Sequence, residues 1–227
     1  MNFRILIPFW GHEPKYIRLL QEWYAQYKAC HLPHPVTMIT DFDTPEIPSG
    51  HFWLRSFPIA NKSQHMFDHK GNLVCAALTA FHEALLIVDA DAMFQFDPEP
   101  LLRPFEHAEF AMPADEAFLT TKIRNRHGQP TSAAKRCAGV MWFGYGGNRA
   151  ALVQHYRDSF RELEAGRYLE ERRLFEQHAW SLVADKVHAP FLPRTLNWAD
   201  HITAFGSNPE AAIYHRIGQR KWNTQKV

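Results

Sequence analysis

Long hydrophobic runs are missing from this chain. Its longest purely aliphatic stretch is Ala84 to Val88, far short of the roughly 20 residues a membrane-spanning helix requires. Met1 to Trp10 holds one Arg, a short apolar run and Pro8, without the basic, apolar and small-residue zones of a secretory signal. The expectation is a cytoplasmic protein, with peripheral attachment to the inner membrane face as the alternative. Cysteine is scarce: Cys30, Cys75 and Cys137 stand far apart with no Cys-x-x-Cys pair, so neither a disulfide framework nor a thiolate zinc site is indicated. Net charge is also lacking, since 25 Lys and Arg face 24 Asp and Glu for a formal +1. Whole-molecule attraction to nucleic acid is therefore not expected, although local patches remain open. No Gly-x-Ser-x-Gly, Walker A or paired-cysteine motif occurs, which leaves serine hydrolase, P-loop and zinc-ribbon readings without support.

What is present is 46% hydrophobic and 22% charged over 227 residues, with 7 Trp, 7 Tyr, 17 Phe and 14 His. That is the composition of one ordinary globular domain, taken here as residues 1–227. The histidine excess asks whether any imidazole does chemistry.

Phe3 to Ile7 reads as a short strand. Pro14 opens a helix with Tyr16, Leu19, Leu20, Trp23, Tyr24 and Tyr27 on one stripe. Val36 to Thr40 is a second strand, so the chain begins strand, helix, strand, the start of a parallel α/β sheet. His51 to Phe57 is a further strand candidate. Asn72 to Glu83 has helical spacing and leads into Ala84 to Val88, an aliphatic run that fits a central strand buried on both faces. Phe110 to Met112 and Val140 to Phe143 are also strand candidates. Between them Lys122 to Arg136 carries five basic residues and no acid, which reads as a basic, mobile loop over 122–136. A helix follows Gly147 with Leu152, Tyr156, Phe160 and Leu163 on one face, and a second from about Glu170 to Ala184 reads as mostly solvated.

Asp89-Ala90-Asp91 follows the buried strand directly. Residues i and i+2 leaving a strand project to one side, and the C-terminal edge of an open α/β sheet is where ligands bind. Two hard carboxylates there suit Mg²⁺ or Mn²⁺ bridging nucleotide phosphates. Asp41-Phe42-Asp43 repeats the spacing after another strand. Asp41 is a candidate contact to a nucleotide's base or ribose; the alternative is a turn-forming Asp before Pro45. Near the C-terminus, His215 is followed at three-residue steps by Gly218 and Lys221. They supply an imidazole, a glycine that lets backbone approach a ligand, and a cation for anionic oxygen. An imidazole added to two carboxylates moves the metal preference toward Mn²⁺. His65 and His69 have i, i+4 spacing but lack the Glu of a hydrolytic zinc motif; His31 and His34 read as turn residues.

Taken together these residues resemble the A-type glycosyltransferases, nearest to the family of glycogenin and the lipopolysaccharide galactosyltransferases. Asp89 and Asp91 match its Asp-x-Asp motif, and His215, Gly218 and Lys221 its His-x-x-Gly-x-x-Lys motif. Cys137-Ala138-Gly139 and Glu176-Gln177 are similar to its Asn-Ala-Gly and Asp-Gln segments, each with one substitution. Pro8-Phe9-Trp10-Gly11 stands where the family has Asp-x-x-Tyr.

The resemblance implies a mostly parallel, Rossmann-like sheet flanked by helices. It implies a metal-dependent hexosyltransferase that takes a nucleotide-diphosphate sugar, UDP-linked in the first instance, to a hydroxyl on a carbohydrate, lipopolysaccharide or other acceptor. Asp89, Asp91 and His215 would hold Mn²⁺ or Mg²⁺. Asp89, Gly218 and Lys221 would meet the donor diphosphate, and Lys70 would touch the donor, with a solvated lysine as the alternative. Gln177 would face the reacting carbon in a retaining reaction; Glu176 would be a general base if the reaction inverts. Rival readings are a nucleotide-sugar or metal-binding module without catalysis, and a nucleotidyltransferase, which would want more glycine after the first strand than Gly11.

Overall fold

A computed structural model describes residues 1–9, 14–41, 53–57, 66–114, 121–199 and 208–215. In chain order its elements are β1 (Phe3–Pro8), α1 (Pro14–Ala29), β2 (Val36–Asp41), β3 (Trp53–Phe57), α2 (Met66–Ala80), β4 (Ala84–Val88), β5 (Ala92–Phe94), α3 (Glu99–Leu102) and β6 (Met112–Pro113). There follow β7 (Lys122–Arg124), β8 (Pro130–Ala134), β9 (Val140–Phe143), α4 (Arg149–Glu164), α5 (Phe175–Lys186), β10 (Phe191–Leu192), β11 (Trp198–Ala199) and β12 (Ile213–His215).

The central sheet has the order β3-β2-β1-β4-β9. Its first four strands are parallel and β9 runs antiparallel beside β4, as expected for a mostly parallel α/β sheet. Period-two alternation sorts the sheet into two cores. Leu6, Leu85, Ile87, Met141 and Phe143 face one layer with α2, α4 and α5. Ile5, Ile7, Leu86, Val88, Val140 and Trp142 face the other, with Leu19 and Trp23 of α1. All five residues of β4 are buried because strands flank it on both sides and both faces are covered. A second small sheet, β11-β12-β5, continues directly from the end of β4.

Four expectations are corrected. The segment read as a basic loop over 122–136 is a β7–β8 hairpin, organised by Asn125, whose side-chain oxygen accepts the His127 and Gln129 amides across the turn. The charged helix expected from about Glu170 starts at Phe175 and is mostly buried, including Glu176, His178 and Ser181. It is enclosed by α2, α4 and β8, so its polar residues face partners in the fold and not water. α2 starts at Met66 rather than Asn72; polar residues at its start enter the buried stripe. The strand expected from Phe110 is Met112–Pro113, with Ala111 joined to Trp142 only by an isolated bridge.

Candidate functional site

β4 ends at Val88, and the chain turns at once. The Ala92 amide donates to the Asp89 carbonyl at 2.9 Å, so Asp89-Ala90-Asp91 is a tight turn into β5 and not the extended strand end that the i, i+2 argument assumed. Two further contacts fix this turn. The Asp89 amide donates to the Gly139 carbonyl at 2.9 Å, and the indole of Trp23 donates to the Ala92 carbonyl at 2.9 Å. Both carboxylates sit half-buried at the C-terminal edge of the parallel strands.

Lys70 is the hub of this edge. It lies on the stripe of α2 that also carries Leu73, Val74 and Ala77, all buried, because positions i, i+3, i+4 and i+7 share one helix face. Its ammonium is 2.7 Å from Asp89 Oδ1, 2.6 Å from the Ala138 carbonyl and 3.9 Å from Glu176 Oε1. Burial alone would depress its pKa; the Asp89 carboxylate, then Glu176, outweighs that and holds the ammonium above the usual lysine range. The alternative of a solvated lysine is thereby overturned. Glu176 occupies the first turn of α5, where the helix dipole favours a carboxylate. Gln177, next to it, is half-buried.

The turn also meets the chain's far end. β12 pairs antiparallel with β5, with His215 opposite Ala92. Ladder partners of this kind have Cα atoms about 5 Å apart, so the backbone of residue 215 lies beside the residue that follows Asp91. The side chain of His215, and residues Gly218 and Lys221, lie outside the described residues, as does His65 of the His65–His69 pair. Asp41 is the last residue of β2, opposite Phe57, at the same edge of the sheet as Asp89; its side chain is also outside them.

Among the described residues, His178, His31 and His34 point to other surroundings. His178 is fully buried, with Nδ1 3.2 Å from Glu170 Oε2 but out of hydrogen-bonding alignment. Burial, and then the Lys135 ammonium, pushes it down to about 3. It faces the Glu170–Lys135 ion pair (2.9 Å). His31 adopts φ 49°, as a turn residue does. His34 is more than that: it stacks on Phe3 at 3.7 Å and, with Asp97 and Glu99, forms a cluster of ligating groups. That cluster is at the opposite, N-terminal edge of the strands, and Glu99 is already bound by the Met1 ammonium at 2.7 Å and Arg103 at 3.0 Å. Sequence reasoning missed the carbonyls of Ala138 and Gly139, which join Cys137's segment to Lys70 and Asp89; backbone acceptors leave no mark in composition.

No family profile and no curated protein sequence matches the chain. Solved structures do. Mouse xyloside xylosyltransferase 1 superposes with TM-score 0.61 at 12% identity over 95% of this chain and 98% of that one. Glycosyltransferase GlyE of Streptococcus pneumoniae gives 0.64 at 15% identity over 100% of this chain, which spans 57% of GlyE. Galactosyltransferase LgtC, solved with donor and acceptor sugar analogues, gives 0.58 at 12% over 95% and 87%. The chain has the fold of the A-type glycosyltransferases.

Proposed function

We propose that the protein is a metal-dependent glycosyltransferase that moves a hexose from a nucleotide-diphosphate sugar, first of all a UDP-sugar, to an acceptor hydroxyl with retention. One observation carries the reading: a buried ammonium, Lys70, held between Asp89, the Ala138 carbonyl and Glu176 at the sheet edge where β12 brings His215 to the Asp89–Asp91 turn. A buried cation with this many acceptors costs desolvation that packing alone does not recover. Such an arrangement is expected where negative charge must be stabilised.

Two hard carboxylates and an imidazole-bearing residue at one turn are a donor set that fits Mn²⁺ or Mg²⁺, so Asp89, Asp91 and His215 are the residues that would hold it. A bound divalent ion supplies Lewis-acid stabilisation of the departing diphosphate. Lys221 would add a second cation there, Gly218 would let backbone approach it, and Asp41 would meet the base or ribose. Lys70 remains protonated and fixes the orientation of Asp89. Glu176 lies 3.9 Å from the Lys70 ammonium, and the half-buried Gln177 beside it is the group we assign to face the reacting carbon. Its neutral amide can stabilise an oxocarbenium-like state without acting as a base, which favours retention.

Donor turnover is the test: a panel of nucleotide sugars, with and without Mn²⁺, read as release of nucleoside diphosphate. Metal-dependent release from one donor supports the reading, and none from any donor removes it. A donor-binding module without transfer is the second reading, favoured by Cys137 where the resembling family has an amide side chain. It requires UDP and Mn²⁺ to bind with no release.

A further inference from the structure

The β7–β8 hairpin lies outside the site just described. It is a firmly anchored arm. Arg136 at its base is buried and donates to the carbonyls of Ala189 at 2.6 Å and Pro190 at 2.8 Å while its guanidinium stacks on Phe191 at 3.9 Å. Ser132 donates to Asp185 at 2.6 Å, and Lys135 pairs with Glu170. Along the outer side of β7 the Arg126 amide donates to the Arg167 carbonyl and the Leu169 amide to the Arg124 carbonyl.

One face of this arm, from Lys122 at its base to Arg126 at its turn, is basic and partly apolar. Lys122 and Arg124 are exposed on either side of buried Ile123, so they project from one face. Arg126 is exposed beyond them. Their hydrogen bonds run to the carbonyls of Ser132 and Gly128 and to the His127 ring, so their charges are not neutralised by those partners. Among the nearby acids, Glu162 pairs with Arg167, Glu164 with Arg172 and Glu170 with Lys135, while the other Glu170 oxygen accepts the Arg124 amide at 3.4 Å and Asp185 accepts from Ser132. Next to the arginines stands Leu169, 56% exposed, with its Cδ1 over Gly128.

We propose that this face of the hairpin docks the protein on an anionic lipid surface. Three cations on a fixed arm supply attraction to lipid phosphates. The exposed leucine among them supplies an apolar contact with the interface that a soluble anion would not use. Long Lys and Arg stems also let the charged heads reach the headgroups while the backbone stays at the surface.

The experiment is co-sedimentation of the full chain with vesicles of phosphatidylcholine alone or with about 30% phosphatidylglycerol. We expect binding to the anionic vesicles only. Each cation removed should weaken it about fivefold, and Lys122→Ser/Arg124→Ser/Arg126→Ser together by about a hundredfold. In about 0.5 M salt the wild type should fall to the level of that variant. Leu169→Ser should weaken binding several-fold at every salt concentration, which a purely ionic contact would not show. Equal binding to both vesicles, or undiminished binding of the triple variant, overturns the proposal. So does binding of inositol hexakisphosphate through the same residues with no preference for vesicles, which would assign the arm to a soluble phosphate. Should the triple variant fail to fold, Arg126→Glu alone, at the exposed hairpin end, gives the same decision. Donor turnover is independent of all these outcomes.

Discussion

The ammonium of Lys70 and the carboxylate of Asp89 meet at 2.7 Å across 19 positions of sequence, joining the helix before the central strand to the turn after it. Lys70→Met leaves Asp89 and Glu176 facing each other without their cation. Breaking a buried pair from one side costs about 3–5 kcal/mol, so urea unfolding should show a loss of that order. Lys70→Met/Glu176→Gln should recover part of it, and Lys70→Arg less, because the guanidinium does not fit an ammonium's pocket. An unchanged midpoint in Lys70→Met would contradict the buried-hub description.

Asp91→Asn keeps the size of the side chain and removes its charge. If Asp91 binds the ion, metal-dependent nucleoside diphosphate release should drop by at least about a hundredfold while the thermal midpoint in metal-free buffer stays the same. Isothermal titration of Mn²⁺ into wild type and variant provides the second readout. Equal Mn²⁺ affinity would remove Asp91 from the ligand set.

Gly71 follows Lys70, and a Cβ added there would lie 1.7 Å from the Tyr156 hydroxyl and 2.4 Å from its Cζ. Tyr156 cannot yield freely, because its ring stacks on Trp180 at 4.5 Å. Gly71→Ala should therefore destabilise by about 1–3 kcal/mol, the usual cost of overpacking, despite the better helix propensity of alanine. Gly71→Ala/Tyr156→Leu should be less destabilised than the sum of its single variants. Full additivity would show that the clash is relieved some other way.

His178 makes stability depend on pH. An imidazole in the unfolded chain titrates near 6.5, and burial has pushed this one down to about 3. Between those values the unfolded state binds a proton that the folded state does not, so stability rises with pH. The contribution is complete above about pH 6.5 and is lost progressively as pH falls toward 3. Replacement by an uncharged ring removes it: the thermal midpoint of His178→Phe should fall less than that of the wild type between about pH 7 and pH 5. Parallel curves would assign the acid sensitivity to other groups.

The sheet could be read from the sequence where apolar runs were unbroken. Ala84 to Val88 and the opening strand, helix, strand are local patterns and fell where the pattern placed them. Polar residues hid the rest. Lys70, Glu176 and His178 mark solvent when read singly, yet Lys70 and Glu176 are buried beside each other and His178 beside the ion pair of Glu170 with the distant Lys135. The hairpin looked like a loop because its charged residues alternate with a single apolar one, Ile123, and its turn depends on one asparagine side chain. The Asp89 turn was legible as a motif, whereas its link to Ala138 and Gly139 runs through carbonyls, which every residue carries.

The antiparallel pairing of β9 with β4 places Val140 opposite Val88 and Gly139 against Asp89. The chain therefore leaves the site at one residue and re-enters it some fifty residues later at an immediate neighbour. Everything in between, the hairpin included, is an excursion whose two ends are pinned together. Its length enters the stability of the pinned ends only logarithmically. Asp91 and β5 open the excursion and buried Arg136 closes it, so the part that can be exchanged while the carboxylates and their lysine stay in place is the hairpin turn, residues 125–129, and the surface offered there can change independently of the groups at the sheet edge.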